Sequence, residues 1–266
     1  MNIKKWITLG SMTVAAAAML AGCGGQEKQA EQKLPDKIVI GLDDNFPPMG
    51  FRDDNGELVG FDIDLAKEAG KRLGIPVEFK PIDWDSKEAA LKSKQVDMLW
   101  NGLTITEDRG KQIAFSKPYL NNAQILVVRA DSPITDRAGL AGKIIGTQEG
   151  SSSVEALDKQ ADFKNSLQDV KKYGDFVAAF MDLEVGRTDG LLVDSVVGRY
   201  YMNKKPGKFK VIDDKMGDEQ YGIGMRQEDT LLQEKLNGVL KDMSADGTMT
   251  KLSQKWFNED ITIKVQ

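Results

Sequence analysis

Histidine is missing from this 266-residue chain, and cysteine occurs once, at Cys23. Without histidine there is no Ser-His-Asp or Cys-His catalytic arrangement and no imidazole-ligated metal. A lone cysteine excludes a disulfide within the chain and a thiolate zinc cluster. Positive charge is also scarce. Lys and Arg number 36 against 41 Asp and Glu, and the net charge of −5 leaves no electrostatic footprint for nucleic acid. No metal or cofactor is expected. What remains, 41% hydrophobic and 29% charged residues, is ordinary globular composition with enough length for two domains.

The first residues are a targeting segment rather than fold. Lys4 and Lys5 precede the apolar run Trp6 to Gly22, which is short for a membrane span and ends in small residues. Leu20 to Cys23, "LAGC", resembles the bacterial lipobox, in which the cysteine is lipidated and becomes the new first residue. A plain signal peptide with an incidental cysteine is the alternative. Residues 1–22 are therefore expected to be a lipoprotein signal peptide. Residues 23–36 are expected to be the lipidated cysteine and a polar, flexible tether. The protein is then exported and held by its lipid at the outer face of a membrane.

From Lys37 short apolar runs alternate with amphipathic stretches. "KIVIGL" (Lys37 to Leu42), "VEFKPI", "VDMLW", "QILVVRA", "KIIGTQ", "DVKKY", "DGLLVDS", "KFKVI" and "YGIGMR" read as strands. Asn55-Gly56 inside "FRDDNGELVGF" is a hairpin turn, and its acidic spacing does not fit an EF-hand. Asp62 to Gly74 is an amphipathic helix with Ile63, Ala66, Ala69, Gly70 and Leu73 on one face and Gly74 as its stop. The alternation continues to the closing helices "TLLQEKLNGVLKDMSADG" and "TMTKLSQKWFN". It implies an α/β fold with mainly parallel strands.

In such sheets ligands sit beyond the carboxyl ends of strands. Asp43 to Phe46 follow the first strand, Asn101 to Thr104 follow "VDMLW", Gln148 to Ser153 follow "KIIGT", and Asp194 follows "GLLV". These ends are polar, glycine-rich and acidic. "QEGSSSVEA" opens a helix with free amides suited to an anion, although N-capping by Ser152 or Ser153 accounts equally well for its serines. Phe46 and Trp84 follow strands and either wall a pocket or cap a core. Arg109 is the odd residue. Thr106 reads as a helix N-cap, with Glu107, Asp108 and Arg109 in the first turn, where a cation opposes the helix dipole. Arg109 then either pairs with Glu107, Asp108 or a neighbour, or offers a bidentate guanidinium to an outside carboxylate.

Taken together, six motifs resemble family 3 of the bacterial extracellular solute-binding proteins, the receptors of polar amino-acid ABC importers. "GFDIDLAKEAGKRL" (Gly60 to Leu73) matches the family signature. "GLDDNFPPMGF", "NGLTITEDR", "IAFSKPYLNNAQILVV", "GRTDGLLVDS" and "QYGIGM" stand around it in the family's order. The resemblance runs from about Lys37 to the C-terminus.

It implies a two-lobed, type II periplasmic-binding-protein-like α/β fold. Two crossover hinge strands are placed near Tyr119 to Ala123 and Gly217 to Tyr221. Residues 37–120 and 222–266 would form the discontinuous first lobe, and 121–221 the second. Arg109 would grip the ligand α-carboxylate, assisted by Thr104 and the amide of Ser152. Asp194 would take the α-ammonium, with the Gly102 carbonyl in support. Phe46 and Trp84 would sandwich the side chain, and Asp43 and Gln148 would face it. Asn101 and Ser151 complete the expected contacts. Asp43, Asp44 and Glu149 make the cleft acidic, which leans toward a neutral polar or cationic amino acid, with cystine still open. Trp100 would narrow the pocket if it pointed inward. Partners would be a small amino acid, the membrane subunits of an importer and, through Cys23, a membrane, with the protein a monomer. The rivals are a dehydratase of the same fold, with Glu149 as general acid in the cleft, and a ligand-sensing protein.

Overall fold

The computed structural model describes residues 33–266, apart from the side chains of 213–215. The expected signal peptide, Cys23 and the expected tether up to residue 32 lie outside the described residues. The chain runs from β1 (Ile38–Leu42) through β2 (Asn45–Phe46), β3 (Gly50–Arg52) and β4 (Leu58–Val59) into α1 (Phe61–Leu73). There follow β5 (Val77–Pro81), α2 (Lys87–Lys92), β6 (Met98–Leu99), α3 (Glu107–Gly110), β7 (Ala114–Phe115) and the long β8 (Leu120–Arg129). The second stretch comprises β9 (Ile144–Gln148), α4 (Ser152–Asp158), α5 (Ala161–Ser166), β10 (Asp169–Tyr173), α6 (Phe176–Glu184), β11 (Gly190–Asp194) and α7 (Ser195–Lys204). β12 (Phe209–Tyr221), β13 (Gly224–Met225), α8 (Thr230–Ala245) and α9 (Thr248–Phe257) close the described chain.

The strands form two five-stranded sheets, ordered β5-β1-β6-β13-β7 and β10-β9-β11-β8-β12, plus the small sheet β2-β3-β4. The mainly parallel expectation holds only in part. β1 pairs in parallel with β5 and β6, and β9 with β10 and β11. β8 runs antiparallel to β11 and β12, and β13 antiparallel to β6 and β7. The reason is topological. β8 enters the second sheet from the end of the first, and β12 returns alongside it from Phe209↔Arg129 to Tyr221↔Leu120. A strand entering and a strand leaving by the same side must be antiparallel. The sequence pattern separates "KFKVI" from "YGIGMR", but β12 continues through the polar segment between them, its ladder with β8 shifting register between Ile212 and Gly217.

Local chemistry explains the element ends. The C-cap of α1, Gly74, sits at φ 69°, where its amide reaches the carbonyls of Gly70 and Lys71. The face predicted for α1 is the face it buries, together with Phe61 and Leu65, although Leu73 is only half-buried. It packs against α8 and α9. Thr106 caps α3 by accepting from the Arg109 amide at 3.2 Å, and Asp175 caps α6 by accepting from Ala178 at 2.8 Å. Gly60, at φ 143°, shows why the signature opens on glycine: a Cβ there would lie 2.2 Å from the Met49 carbonyl oxygen. Trp100 settles outside the strand-end region. It is buried in the core with Ile38, Ile40 and Met98 of the first sheet and Leu236 of α8.

Candidate functional site

The carboxyl ends of β1 and β6 in the first sheet meet those of β9 and β11 in the second, and polar side chains bridge them. Gln148, the last residue of β9, donates to Asp43 just beyond β1 at 2.7 Å and to the Gly174 carbonyl at 3.0 Å. The other oxygen of Asp43 accepts from the Asn45 amide at 2.9 Å. Burial raises the Asp43 carboxyl to about 6, because the charged form loses water and these bonds recover only part of the loss. Asn101 is buried and reaches back to the Asp43 carbonyl at 2.8 Å. Ser151 turns onto the Gln148 carbonyl at 2.7 Å. The two loops thus hold each other directly.

The Asp62 carboxylate in the signature segment positions the next loop. It accepts from the Gly102 amide at 2.7 Å and from the Tyr119 hydroxyl at 3.0 Å. Gly102 stands at φ 60°, and a Cβ on it would lie 2.7 Å from the Phe46 ring and 3.1 Å from the Tyr221 ring. Only glycine allows the backbone to pass there. Phe46 itself is buried against Phe176, with ring centroids 5.9 Å apart. Trp84 is buried beside Leu91, Val96 and Leu99, and Lys87 lies over its ring at 5.3 Å.

Arg109 is 5% exposed and makes neither of the pairs expected within its own turn. Lys111 takes Glu107 and Asp108. Helix α3 is a single turn, so Arg109 lies in its last turn as well as its first, and the expected opposition to the dipole loses its force. The guanidinium instead donates to the Thr104 carbonyl at 2.9 Å and the Gly150 carbonyl at 3.0 Å. Its Nε lies 3.7 Å from both Glu88 and Glu155. Gly150 also accepts from Lys87 Nζ at 2.7 Å. Lys87 is 2% exposed, and burial, with the Arg109 charge beside it, lowers its ammonium to about 8.

Behind Arg109 lies a chain of short polar contacts. Thr104 Oγ1 donates to Glu219 at 3.0 Å, and Ser152 Oγ lies 3.0 Å from Thr104 Oγ1. Asp194 is 2% exposed and accepts from Asn122 at 2.6 Å, the Tyr221 hydroxyl at 2.7 Å and Gln124 at 3.1 Å. Its proton affinity is pushed up, first by burial and then by the charge of Glu219. Phe46, Asn101, Gly102, Thr104, Arg109, Ser152 and Asp194 therefore gather around one interior, together with Asp43, Gln148, Ser151 and Trp84 at its edges. Glu149 does not join them. It lies half-exposed, 3.5 Å from Lys172. Five residues that motif reading passed over belong to the same interior: Lys87, Asn122, Gln124, Glu219 and Tyr221. For Asn122, Glu219 and Tyr221 the available signal was their place in the crossover strands, and for Gln124 its place at the head of "QILVVRA".

Comparison with known proteins gives one answer. The L-cystine-binding protein TcyJ of Escherichia coli (strain K12) is 32% identical over 261 residues, covering 94% of this chain and 96% of its own length. The arginine-binding extracellular protein ArtP of Bacillus subtilis (strain 168) is 31% identical over 260 residues, covering 96% and 98%. The crystal structure of an ABC uptake transporter substrate-binding protein from Streptococcus pneumoniae with bound histidine superposes with a TM-score of 0.82. It is 38% identical and covers 86% of this chain and 95% of its own. The fold is the two-lobed type II periplasmic-binding-protein fold. These relatives are binding proteins rather than enzymes, which sets the dehydratase alternative aside. The description "Bacterial extracellular solute-binding proteins, family 3" matches residues 38–259, and the chain belongs to that family.

Proposed function

We propose that the protein captures a polar amino acid between two closing lobes and delivers it to the membrane subunits of an ABC importer. One observation carries the reading. A buried guanidinium, Arg109, and a buried carboxylate, Asp194, stand at the two ends of a continuous polar chain that runs through Thr104 in a loop of the first sheet and through Glu219 and Gln124 on strands of the second. A zwitterion needs such a fixed cation and fixed anion. Arg109 takes the α-carboxylate, with Thr104 and Ser152 beside it, when the Gly150 loop swings away and frees its Nη2. Asp194 takes the α-ammonium. Phe46 and Trp84 flank the side chain, and Asp43 and Gln148 face it, with Asn101, Gly102 and Ser151 shaping the walls. The lobes are residues 37–120 with 222–266, and 121–221, and β8 and β12 provide the hinge. Closure follows from the ligand's greater affinity for the closed arrangement.

The named ligands of the relatives, cystine, arginine and histidine, all carry an α-ammonium and an α-carboxylate. The acidic Asp43 supports a neutral polar or cationic side chain, whereas Asp44 is paired with Arg52 at 2.6 Å. A lipid-free protein starting near Lys33 would be melted against the twenty amino acids, cystine, ornithine and prephenate. A ligand specific to the folded state adds about 2.7 kcal/mol at a hundredfold excess over its dissociation constant. A rise with one or a few amino acids is expected. No rise with any of them would overturn the reading.

The lipobox supports anchoring of the receptor by lipid on Cys23 at the outer face of the membrane. Cys23→Ser is expected to move the protein from the membrane fraction to the medium or periplasm. Continued sedimentation with membranes would remove the anchor.

A further inference from the structure

Two acids meet inside the site. Asp194 closes β11, and Glu219 lies on β12. Asp194 Oδ1 and Glu219 Oε2 accept from the same Asn122 Nδ2, at 2.6 and 2.9 Å. They also accept from the same Gln124 Nε2, at 3.1 and 3.0 Å. Neither amide is free to turn. Asn122 Oδ1 accepts from Ser195 Oγ at 3.1 Å, and Gln124 Oε1 accepts from Ser153 Oγ at 2.6 Å. The remaining side-chain donors are hydroxyls: Tyr221 to Asp194, and Thr104 to Glu219, with Ser152 Oγ 3.3 Å from Glu219, and the Asp194 backbone amide adds one more neutral donor.

Among the described residues, every donor that reaches the pair is therefore neutral. The titratable neighbour is Tyr221 on β12, with Tyr119 and then Asp62 behind it. The next cation, Arg109 on α3, directs its guanidinium at the carbonyls of Thr104 and Gly150. Two carboxylates bridged by common donors, Asp194 buried and Glu219 half-buried, repel each other unless a positive charge is placed with them, and amide dipoles supply none. A proton can serve, and so can an ammonium group, whose three N–H bonds suit two acceptors.

We infer that Glu219 joins Asp194 in one two-carboxylate seat for the ligand's ammonium group, and that the seat holds a shared proton until the ammonium arrives. The ammonium then sits between the two carboxylates, the O–H bond breaks, and the proton passes to solvent buffer. The seat carries one negative charge before binding and two after, the second balanced by the incoming cation. The raised proton affinity of Asp194, caused by burial and then by Glu219, agrees with this geometry. This inference rests on the amino-acid reading above and adds Glu219 to it. Affinity then rises about tenfold per pH unit while the seat holds its proton, and levels off above that range.

The test is calorimetry at slightly acidic pH in phosphate and in imidazole, whose ionisation enthalpies differ. The probe is the amino acid that most raises the melting temperature in the screen above. Wild type is expected to release about one proton per ligand bound, and Glu219→Gln none, with its affinity flat across the same pH range. Binding without proton release in the wild type overturns the inference alone, as does undiminished release in Glu219→Gln. Loss of release in Asp43→Asn but not in Glu219→Gln would place the proton on Asp43 and also overturn it. If no amino acid binds, the receptor reading falls and takes this one with it. Should Glu219→Gln fail to fold, Glu219→Asp draws the acid back by one carbon, and an unchanged proton count in that variant overturns the shared seat.

Discussion

Arg109→Ala is expected to leave a folded protein whose affinity for amino acid is largely lost. The side chain is buried, and its two Nη groups meet carbonyls on opposite sides of the interior. Removing one partner of a buried charged pair costs about 2–5 kcal/mol, or roughly 30- to 4,000-fold in affinity. Part of the cost is structural, since Glu88 and Glu155 lose the guanidinium 3.7 Å away. Arg109→Lys separates the two contributions. It keeps the charge but loses the planar fork, and little binding should return. Affinity measured by calorimetry, with circular dichroism and melting as checks on folding, reads the result. Unchanged affinity in a folded Arg109→Ala protein would remove the carboxylate role.

Asp194→Asn should distinguish ligands by a single group. The change keeps the size of the side chain and can still accept the Tyr221 hydroxyl that now lies at 2.7 Å. What it removes is the charge facing the α-ammonium. A hydrogen bond to a charged group contributes about 1.5–3 kcal/mol, so amino acids should weaken roughly ten- to two-hundredfold. Deaminated analogues, which keep the carboxylate and side chain, should bind the variant about as they bind the wild type. Equal losses for both ligand types would take the ammonium role away from Asp194. Competition with a bound fluorescent reporter measures both affinities on one scale.

Much of the fold follows from neighbours in the chain. Gly74 ends α1 because only a residue at ease in the left-handed region turns its amide back, and Asn55-Gly56 places the hairpin between β3 and β4. The strand ends were also legible, because polar residues after buried apolar runs mark where a sheet stops. What escaped was set by contacts between distant segments. Lys87 reads as the surface of a short helix, yet it is buried because the Gly150 carbonyl, 63 positions later, comes down on it. Glu219 sits in the polar crossover strand that the resemblance places at Gly217 to Tyr221, but which of its side chains turn inward follows only from the pairing with β8. Glu149 shows the opposite error. A glutamate next to a glycine-serine loop suggests chemistry, but parallel pairing of β9 with β10 brings Lys172 to it at the surface. Trp100 follows the same logic, since the strand's pleat and not its adjacency to Asn101 decides which way it faces.

The Gly150 carbonyl receives both Lys87 and Arg109 while its Cα, at φ 70°, passes so near the turn at Asp85 that an added Cβ would come within 2.6 Å of the Asp85 Cα. The clearance between those two segments is less than one carbon atom. Both bonds share one acceptor, so a shift of the Gly150 carbonyl that frees Arg109 frees Lys87 in the same movement. That carbonyl is a single catch on two buried cations.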